Sequence, residues 1–183
     1  NGYVKFIGDA YLRIKEDYLR ILRYIRFFSI YSKQKHNPDL LRIIKKNIKG
    51  VSKLSKDRLL DELRKMMKID ILENLSKDKK SLDLLLMIFP ELKNVKIFSK
   101  LKPHLKDILR DNDAIFLISL MIIDETDNAD YFLYKFNFSK KDEKRIKNID
   151  KFFKEKINSK TFLEENMNKI CLLYTSDAAD DVI

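Results

Sequence analysis

The segment from Arg13 to Phe27 constrains the fold more than any other part of the chain, because its apolar and charged side chains recur at helical spacing. Residues three or four positions apart lie on one face of an α-helix. This spacing predicts a charged face and flank that carry Arg13, Asp17, Arg20, Arg23 and Arg26. It predicts an opposite, buried stripe formed by Tyr18, Ile21, Leu22, Ile25 and Phe28. One face would therefore pack against the protein while the other binds a ligand.

An Asp and an Arg on such a face can together recognise the pairing edge of a base. An ionised Asp only accepts hydrogen bonds and an Arg only donates them. Cytosine and adenine present an amino donor beside a ring-nitrogen acceptor, whereas uracil and guanine present a carbonyl acceptor beside an N–H donor. Asp17 with Arg20 is therefore predicted to select C and A, because each buried group left unpaired costs roughly 1–3 kcal/mol. The alternative is that these charges form the solvated face of an amphipathic helix.

The whole 13–27 segment resembles the base-recognition helix of the tRNA nucleotidyltransferases, whose pattern R-I-x-E-D-x-L-R-x-L-R-x-x-R-F it matches at every defined position. This family includes the CCA-adding enzymes and the bacterial poly(A) polymerases. The resemblance implies a nucleotide-binding set of Asp17, Arg20, Arg23 and Arg26. It implies supporting roles for Arg13 and Glu16, of which Glu16 would orient arginines or the start of the helix.

A second block, residues 54–63, resembles the next motif of the same family, L-S-x-E-R-I-x-x-E-L. Ser55 is predicted to cap a helix, since its hydroxyl can accept from a free N–H of the first turn. Arg58 and Glu62 are four residues apart, so they can pair on one helix face. The resemblance implies that these two residues brace the recognition helix, while a surface ion pair is the plainer interpretation.

A third block, residues 84–92, resembles the family's helix that ends in L-F-P-E-L. Pro90 is predicted to end this helix, because proline lacks a backbone donor and its ring clashes with the preceding turn. The three blocks extend the resemblance over about the first half of the chain, and beyond Val95 the sequence predicts generic helices.

Composition favours an all-α, multi-helical array, since 183 residues include 3 Gly and 3 Pro and apolar residues recur mostly at helical spacing. The residues from Tyr3 to Ile7 could form a short extended piece, with Gly8 as the turn out of it. The predicted helices cover 14–31, 38–49, 57–67, 82–89, 105–110, 114–123, 129–136, 140–156 and 162–170. Ser139 and Asp142 look like a cap for the helix 140–156. The helix 114–123 is expected to be central and buried, and it is shorter than the ~20 residues of a membrane span.

Charge is unevenly distributed. Residues 1–100 hold 24 Lys and Arg against 12 Asp and Glu, whereas residues 101–183 hold 14 against 16. A positive surface favours phosphate backbones, so the first half is predicted to contact RNA and nucleotides. An AT-rich genome would also enrich Lys, but that bias should act along the whole chain.

Nucleotidyl transfer requires paired carboxylates that hold divalent metals, and the sequence offers no such group beside a Gly-rich turn. Asp111 and Asp113 are interpreted as a helix start, and the acidic run 124–130 as a solvated loop. His36 and His104 are isolated and neither is followed by Asp, so no His-Asp phosphohydrolase motif is visible. Since the chain opens at Asn1 without Met, we expect the family's catalytic head, with its Mg²⁺, to precede it.

The residues 171–183 resemble the in-frame translation of a sequencing adapter, with a natural short tail as the alternative. Cys171 is the sole cysteine, so no intramolecular disulfide can form. No secretory or transmembrane segment is seen in the sequence. A cytoplasmic protein is expected.

The sequence therefore predicts part of a bacterial CCA-adding enzyme that selects CTP and ATP and binds tRNA, inactive without its head. Residues 1–12 would end the head, 13–67 would form the base-recognising neck, and 68–170 a helical, RNA-binding body. The alternatives are a poly(A) polymerase, which shares the recognition helix, and a non-catalytic helical RNA-binding scaffold.

Overall fold

A computed structural model describes residues 2–124 and 126–156, and every regular element within them is helical. The α-helices are α1 (Ala10–Glu16), α2 (Leu19–Tyr31), α3 (Pro38–Asn47), α4 (Lys56–Lys65), α5 (Ile69–Lys77), α6 (Lys79–Ile88), α7 (Pro103–Arg110), α8 (Ala114–Ile122), α9 (Asn128–Lys135) and α10 (Lys140–Lys156). Two 3₁₀ helices, Ile48–Lys53 and Val95–Ser99, complete the set. The all-α prediction is confirmed.

Most predicted helices are present within one to three residues of their expected ends, but α5 was missed. Lys68 at its N-cap offers no side-chain cap, and the helix opens on Ile-Asp-Ile, a pattern that also suits a strand. Its buried residues, among them Leu72 and Leu75, pack against α2, α6 and the 3₁₀ helix Val95–Ser99. The predicted helix 162–170 and the tail 171–183 lie outside the described residues.

The N-terminal segment, residues 2–9, has no strand; instead it lies beside α2. The backbone N–H of Lys33 donates to the carbonyl of Gly2 at 3.0 Å, and the Phe6 ring stacks on Tyr24 with centroids 5.9 Å apart. Gly8 has φ +80°, a left-handed conformation that suits glycine, and turns the chain into α1.

The predicted helix 14–31 is interrupted, and this is the main correction to the sequence analysis. α1 ends at Glu16, and Asp17 adopts an extended backbone with φ −154° and ψ 107°. Its Oδ1 atom accepts from the N–H of Leu19 at 3.0 Å, as a residue at a helix start does. Asp17 therefore separates two helices, and the charged side chains before and after it do not share one helical face.

Gly50 leaves space for the Tyr18 ring at the break between α1 and α2. A Cβ atom at this position would lie 2.1–2.4 Å from three atoms of the Tyr18 ring, so glycine allows the ring to lie directly on the 3₁₀ helix. Tyr18 stands between Asp17 and Leu19, where α1 gives way to α2. The contact fixes how the chain turns between these two helices.

α8 is the central buried helix, as predicted, since all residues from Ile115 to Ile122 are buried. Asp113 caps it by accepting from the N–H of Phe116 at 2.9 Å, which confirms the helix start. Ser139 accepts from the N–H of Asp142 at 3.1 Å, which confirms the cap at α10. Among the described residues, no helix is long and apolar enough to cross a membrane.

The F-P-E-L sequence ends α6 and also contacts α9. α6 stops at Ile88, two residues before Pro90. The carboxylate of Glu91 is 3% exposed and accepts from Lys135 of α9 at 2.7 Å. The rings of Phe89 and Phe136 lie 5.7 Å apart beside this pair. The segment therefore joins α6 to α9 through one buried ion pair and one aromatic contact.

Lys135→Ala is expected to destabilise the protein, because it leaves the buried carboxylate of Glu91 unpaired. Breaking a buried ion pair costs about 3–5 kcal/mol, and the partial exposure of Lys135 points to the lower end, about 3 kcal/mol. Urea unfolding measures the change. Lys147→Ala removes the cation of an exposed pair with Glu143 and should have a much smaller effect. Equal losses in the two variants would contradict the prediction.

Gly50→Ala is expected to cost about 1–3 kcal/mol of unfolding free energy, because the added methyl group overlaps the Tyr18 ring. In a Tyr18→Ala background the same substitution should cost little, since the overlapping ring is gone. Urea unfolding of the four members of this double-mutant cycle measures the coupling. An identical cost of Gly50→Ala in both backgrounds would show that the ring contact is not its cause.

Candidate functional site

A basic cleft opens between the N-terminal segment and α2. It is lined by Val4, Lys5, Phe6, Ile7, Arg13, Arg20, Arg23, Tyr24 and Phe27. Four of these residues are cationic, none is acidic, and three are aromatic. Guanidinium groups bind phosphate through paired, charge-assisted hydrogen bonds. The cleft therefore suits an anionic ligand that also carries a planar group.

Glu16 ties two of the cleft arginines together. Its Oε2 atom accepts from Arg13 and from Arg20, each at 2.7 Å, and Arg20 also donates to the backbone carbonyl of Arg13 at 2.8 Å. Arg20 sits at the start of α2 and Arg13 in the last turn of α1. Glu16 thus holds two guanidinium groups at the mouth of the break between the helices.

Asp17 follows Glu16 in the chain, but its carboxylate binds residues that do not line the cleft. Its Oδ2 atom accepts from Arg58 of α4 at 3.0 Å, while Oδ1 accepts from the N–H of Leu19, the first residue of α2. The prediction that Arg13, Asp17 and Arg20 project together from one helix is wrong, because the extended backbone at Asp17 turns its carboxylate toward α4. The uninterrupted helical spacing of the sequence gave no sign of this turn.

Glu62 of α4 makes a polar contact with α2 itself. Its carboxylate is 1% exposed and accepts from Arg26 Nε at 2.6 Å. Arg23 Nε lies 3.8 Å and Lys65 Nζ 3.5 Å from its second oxygen. The predicted pair between Arg58 and Glu62 does not form, because each side chain reaches a residue of the 13–27 segment instead. Ser55 caps α4, as predicted, by accepting from the N–H of Arg58.

The predicted nucleotide-binding residues therefore fall into two groups. Arg20 and Arg23 line the cleft, whereas Asp17 and Arg26 form ion pairs with residues of α4. The sequence analysis missed Lys5 as a cleft residue. Residues 2–9 fold back along α2, and no periodic pattern of apolar residues in the sequence indicates this.

Tyr24 was also missed, and it connects the cleft to a buried histidine. Its hydroxyl lies 2.8 Å from Nδ1 of His36, whose Nε2 lies 2.6 Å from Asp78 and 3.1 Å from Ser81. Phe28 stacks on the imidazole with ring centroids 3.5 Å apart. His36, isolated in the sequence, is thus paired with an acid 42 positions away. Hydrophobic spacing cannot reveal a pair between separate elements.

Two ionisable groups in this network have shifted pKa values. Burial, followed by the charge of Asp78, raises the pKa of Tyr24 above its ordinary value. Burial alone would raise the pKa of Asp78, but hydrogen bonds from Ser81 and His36 lower it. Tyr24 therefore remains a neutral hydroxyl and Asp78 a carboxylate at neutral pH.

Within residues 2–124 and 126–156 no group of three or more His, Cys, Asp or Glu side chains could hold a metal ion. The side chains described do not fit the divalent metal that nucleotidyl transfer requires.

No family model matches the chain. Curated relatives match part of it: CCA tRNA nucleotidyltransferase 1, mitochondrial, of Danio rerio is 45% identical over 69 residues, and that of Homo sapiens is 44% identical over 69. The protein of the same name from Mus musculus is 40% identical over 77 residues. These matches cover 37–41% of this chain and 16–18% of the relatives. Over that segment the chain is a partial homologue of these enzymes, which supports a relationship to the tRNA nucleotidyltransferases.

Proposed function

We propose that the chain is the nucleotide-selecting and tRNA-binding part of a CCA-adding tRNA nucleotidyltransferase. The observation that carries the proposal is the cleft in which Arg13, Arg20 and Arg23 converge. Asp17 directly follows Glu16, the acid that binds Arg13 and Arg20. The partial relatives are named as CCA enzymes, which favours CCA addition over poly(A) synthesis. A product ladder, CCA against a long A tail, separates these two reactions in the whole protein.

Asp17 and Arg20 retain the hydrogen-bonding capacity that base selection needs. A carboxylate offers about four lone-pair sites, and Asp17 uses one for Leu19 and one for Arg58. An arginine has five N–H donors, and the contacts of Arg20 to Glu16 and Arg13 use its NH1 nitrogen. Asp17 can thus accept from the amino group of C or A while Arg20 donates to the ring nitrogen.

The remaining residues act on the nucleotide and on the helices that present these two groups. Arg23 faces the cleft and is placed to bind phosphate, while Arg26 fixes α2 to α4 through Glu62. Arg58 orients the Asp17 carboxylate from α4. In this proposal Arg58 and Glu62 are positioning residues, and residues 13–67 form one recognition unit ahead of an RNA-binding body, 68–170.

The side chains described bind and orient the nucleotide and carry out no step of the transfer. The divalent metal and its paired carboxylates would belong to a catalytic domain of the whole enzyme. A cytoplasmic location stays a prediction, since the relatives named above are mitochondrial proteins. A bacterial source likewise stays a prediction.

Asp17→Asn is the sharpest test of base selection. The Asn amide oxygen can still accept from the N–H of Leu19 at the start of α2, but the amide replaces the other acceptor oxygen with a donor. We expect the affinity for CTP and ATP to fall about 5- to 100-fold, as for one buried group left unpaired, and that for UTP and GTP not to fall. Calorimetric titration with the four nucleotides at fixed low salt measures this.

Asp39→Asn is the matched control, because Asp39 is a 75% exposed acid in the first turn of α3, away from the cleft. It makes the same charge change and should bind all four nucleotides as the parent chain does. Equal binding of the four nucleotides by the parent chain, or an unchanged preference in Asp17→Asn, would contradict the proposal.

Arg58→Ala should reduce the preference for CTP and ATP less than Asp17→Asn does, because the carboxylate remains but loses its fixed orientation. Arg58→Lys should restore part of the preference, since Lys keeps the charge but not the planar fork. The same titrations measure both variants. Arg64→Ala, which breaks a comparable pair between α4 and Asp142, is the control. An equal loss of all four nucleotides in Arg58→Ala would indicate damage to the fold instead.

A further inference from the structure

One exposed face of α2 changes from cationic to aromatic along its length. Arg20 and Arg23 lie on this face in the first half of the helix, and Phe27 and Tyr31 follow in the second half. These positions are spaced by three or four residues, so they form a single row. From Arg20 to Tyr31 the row is about 16 Å long. Its basic end lies in the cleft, and its aromatic end continues past it.

The aromatic end is already assembled as a stack. The guanidinium of Arg26 lies 4.4 Å from the centroid of the Phe27 ring, and Phe27 stacks on Tyr31 with centroids 6.0 Å apart at 29°. Arg26 is held in place by the buried carboxylate of Glu62. The stack therefore begins at a fixed cation and ends on Tyr31, which is 59% exposed.

The surroundings of the stack are basic rather than apolar. Lys5 and Arg23 line the cleft together with Phe27, and Lys33 lies two residues after the end of α2. Tyr3, 47% exposed, lies on the N-terminal segment with Lys5 Nζ 5.9 Å from its ring centroid. Exposed rings next to a positively charged groove are the combination by which proteins bind single-stranded nucleic acids, because every base has a face that can stack.

We propose that Phe27 and Tyr31 form a stacking platform for the unpaired 3′-terminal nucleotides of an RNA whose next nucleotide enters the cleft. This inference rests on the proposed function and adds the place where the acceptor strand lies. The last base of the RNA stacks on the outer face of Tyr31, and the phosphates follow the cations of the row. The platform recognises stacking rather than hydrogen-bonding groups, so it is tolerant of base identity.

Binding of a labelled single-stranded RNA that ends in two cytidines, measured by fluorescence anisotropy, tests the platform. Tyr31→Ala should weaken binding about 5- to 100-fold, the loss reported for one base–aromatic stack. Tyr31→Phe should bind like the parent chain, since the ring remains. The slope of log affinity against log salt should be the same in all three proteins, because it reflects phosphate contacts and not stacking.

Two matched controls come from the same chain. Tyr134 is 85% exposed on α9, so Tyr134→Ala removes an exposed tyrosine elsewhere and should leave RNA binding unchanged. Ile30 is 37% exposed and precedes Tyr31 on α2, so Ile30→Ala removes apolar surface without removing a ring. Since Tyr31 lies beyond the cleft, nucleotide titrations should not change in Tyr31→Ala, which separates failure of the platform from failure of base selection.

Several results would overturn the proposal. Unchanged RNA affinity in Tyr31→Ala would exclude stacking on this ring. An equal loss in Tyr31→Ala and Tyr31→Phe would assign the effect to the hydroxyl group. Equal losses in Ile30→Ala and Tyr31→Ala, together with a changed sedimentation coefficient, would assign the surface to contacts between protein chains.

Discussion

The buried carboxylate of Glu62 is the interaction on which the arrangement of the site depends. A charge removed from water must be paired, and at 1% exposure Glu62 depends on cations from α2 and from its own helix. Its bond to Arg26 acts together with the buried apolar face of α2 to set the rotation of this helix, and that rotation decides which arginines face the cleft. The ion pair between Arg58 and Asp17 connects α4 to the residues between α1 and α2. α4 therefore presents no residue to the cleft, yet it determines the geometry there.

Much of the fold could be predicted from the sequence, because apolar spacing and capping residues indicate where most helices lie. Ser55, Asp113 and Ser139 cap helices as expected, and α8 is as buried as its composition indicates. α5 was missed because Lys68 supplies no cap. Local signals fail where a helix is stabilised by the elements packed around it rather than by its own sequence.

The candidate site was less predictable, for a physical reason. The charged residues could be selected from their spacing, but spacing assumes an unbroken helix, and Asp17 is as suited to starting a helix as to lying within one. The break moves its carboxylate to Arg58 and leaves Glu16 to join the arginines. Partners from distant segments, such as Lys5 in the cleft, depend on tertiary packing that no periodic pattern encodes.

The hydrogen-bonded chain from Tyr24 through His36 to Asp78 links the cleft to the start of α6. Asp78 caps α6, so the group that starts this helix also holds the ring that forms one wall of the cleft. A shift of α6 that carries Asp78 with it would therefore strain or break the hydrogen bonds that hold Tyr24. The width of the cleft therefore depends on where α6 lies as well as on the residues that line it.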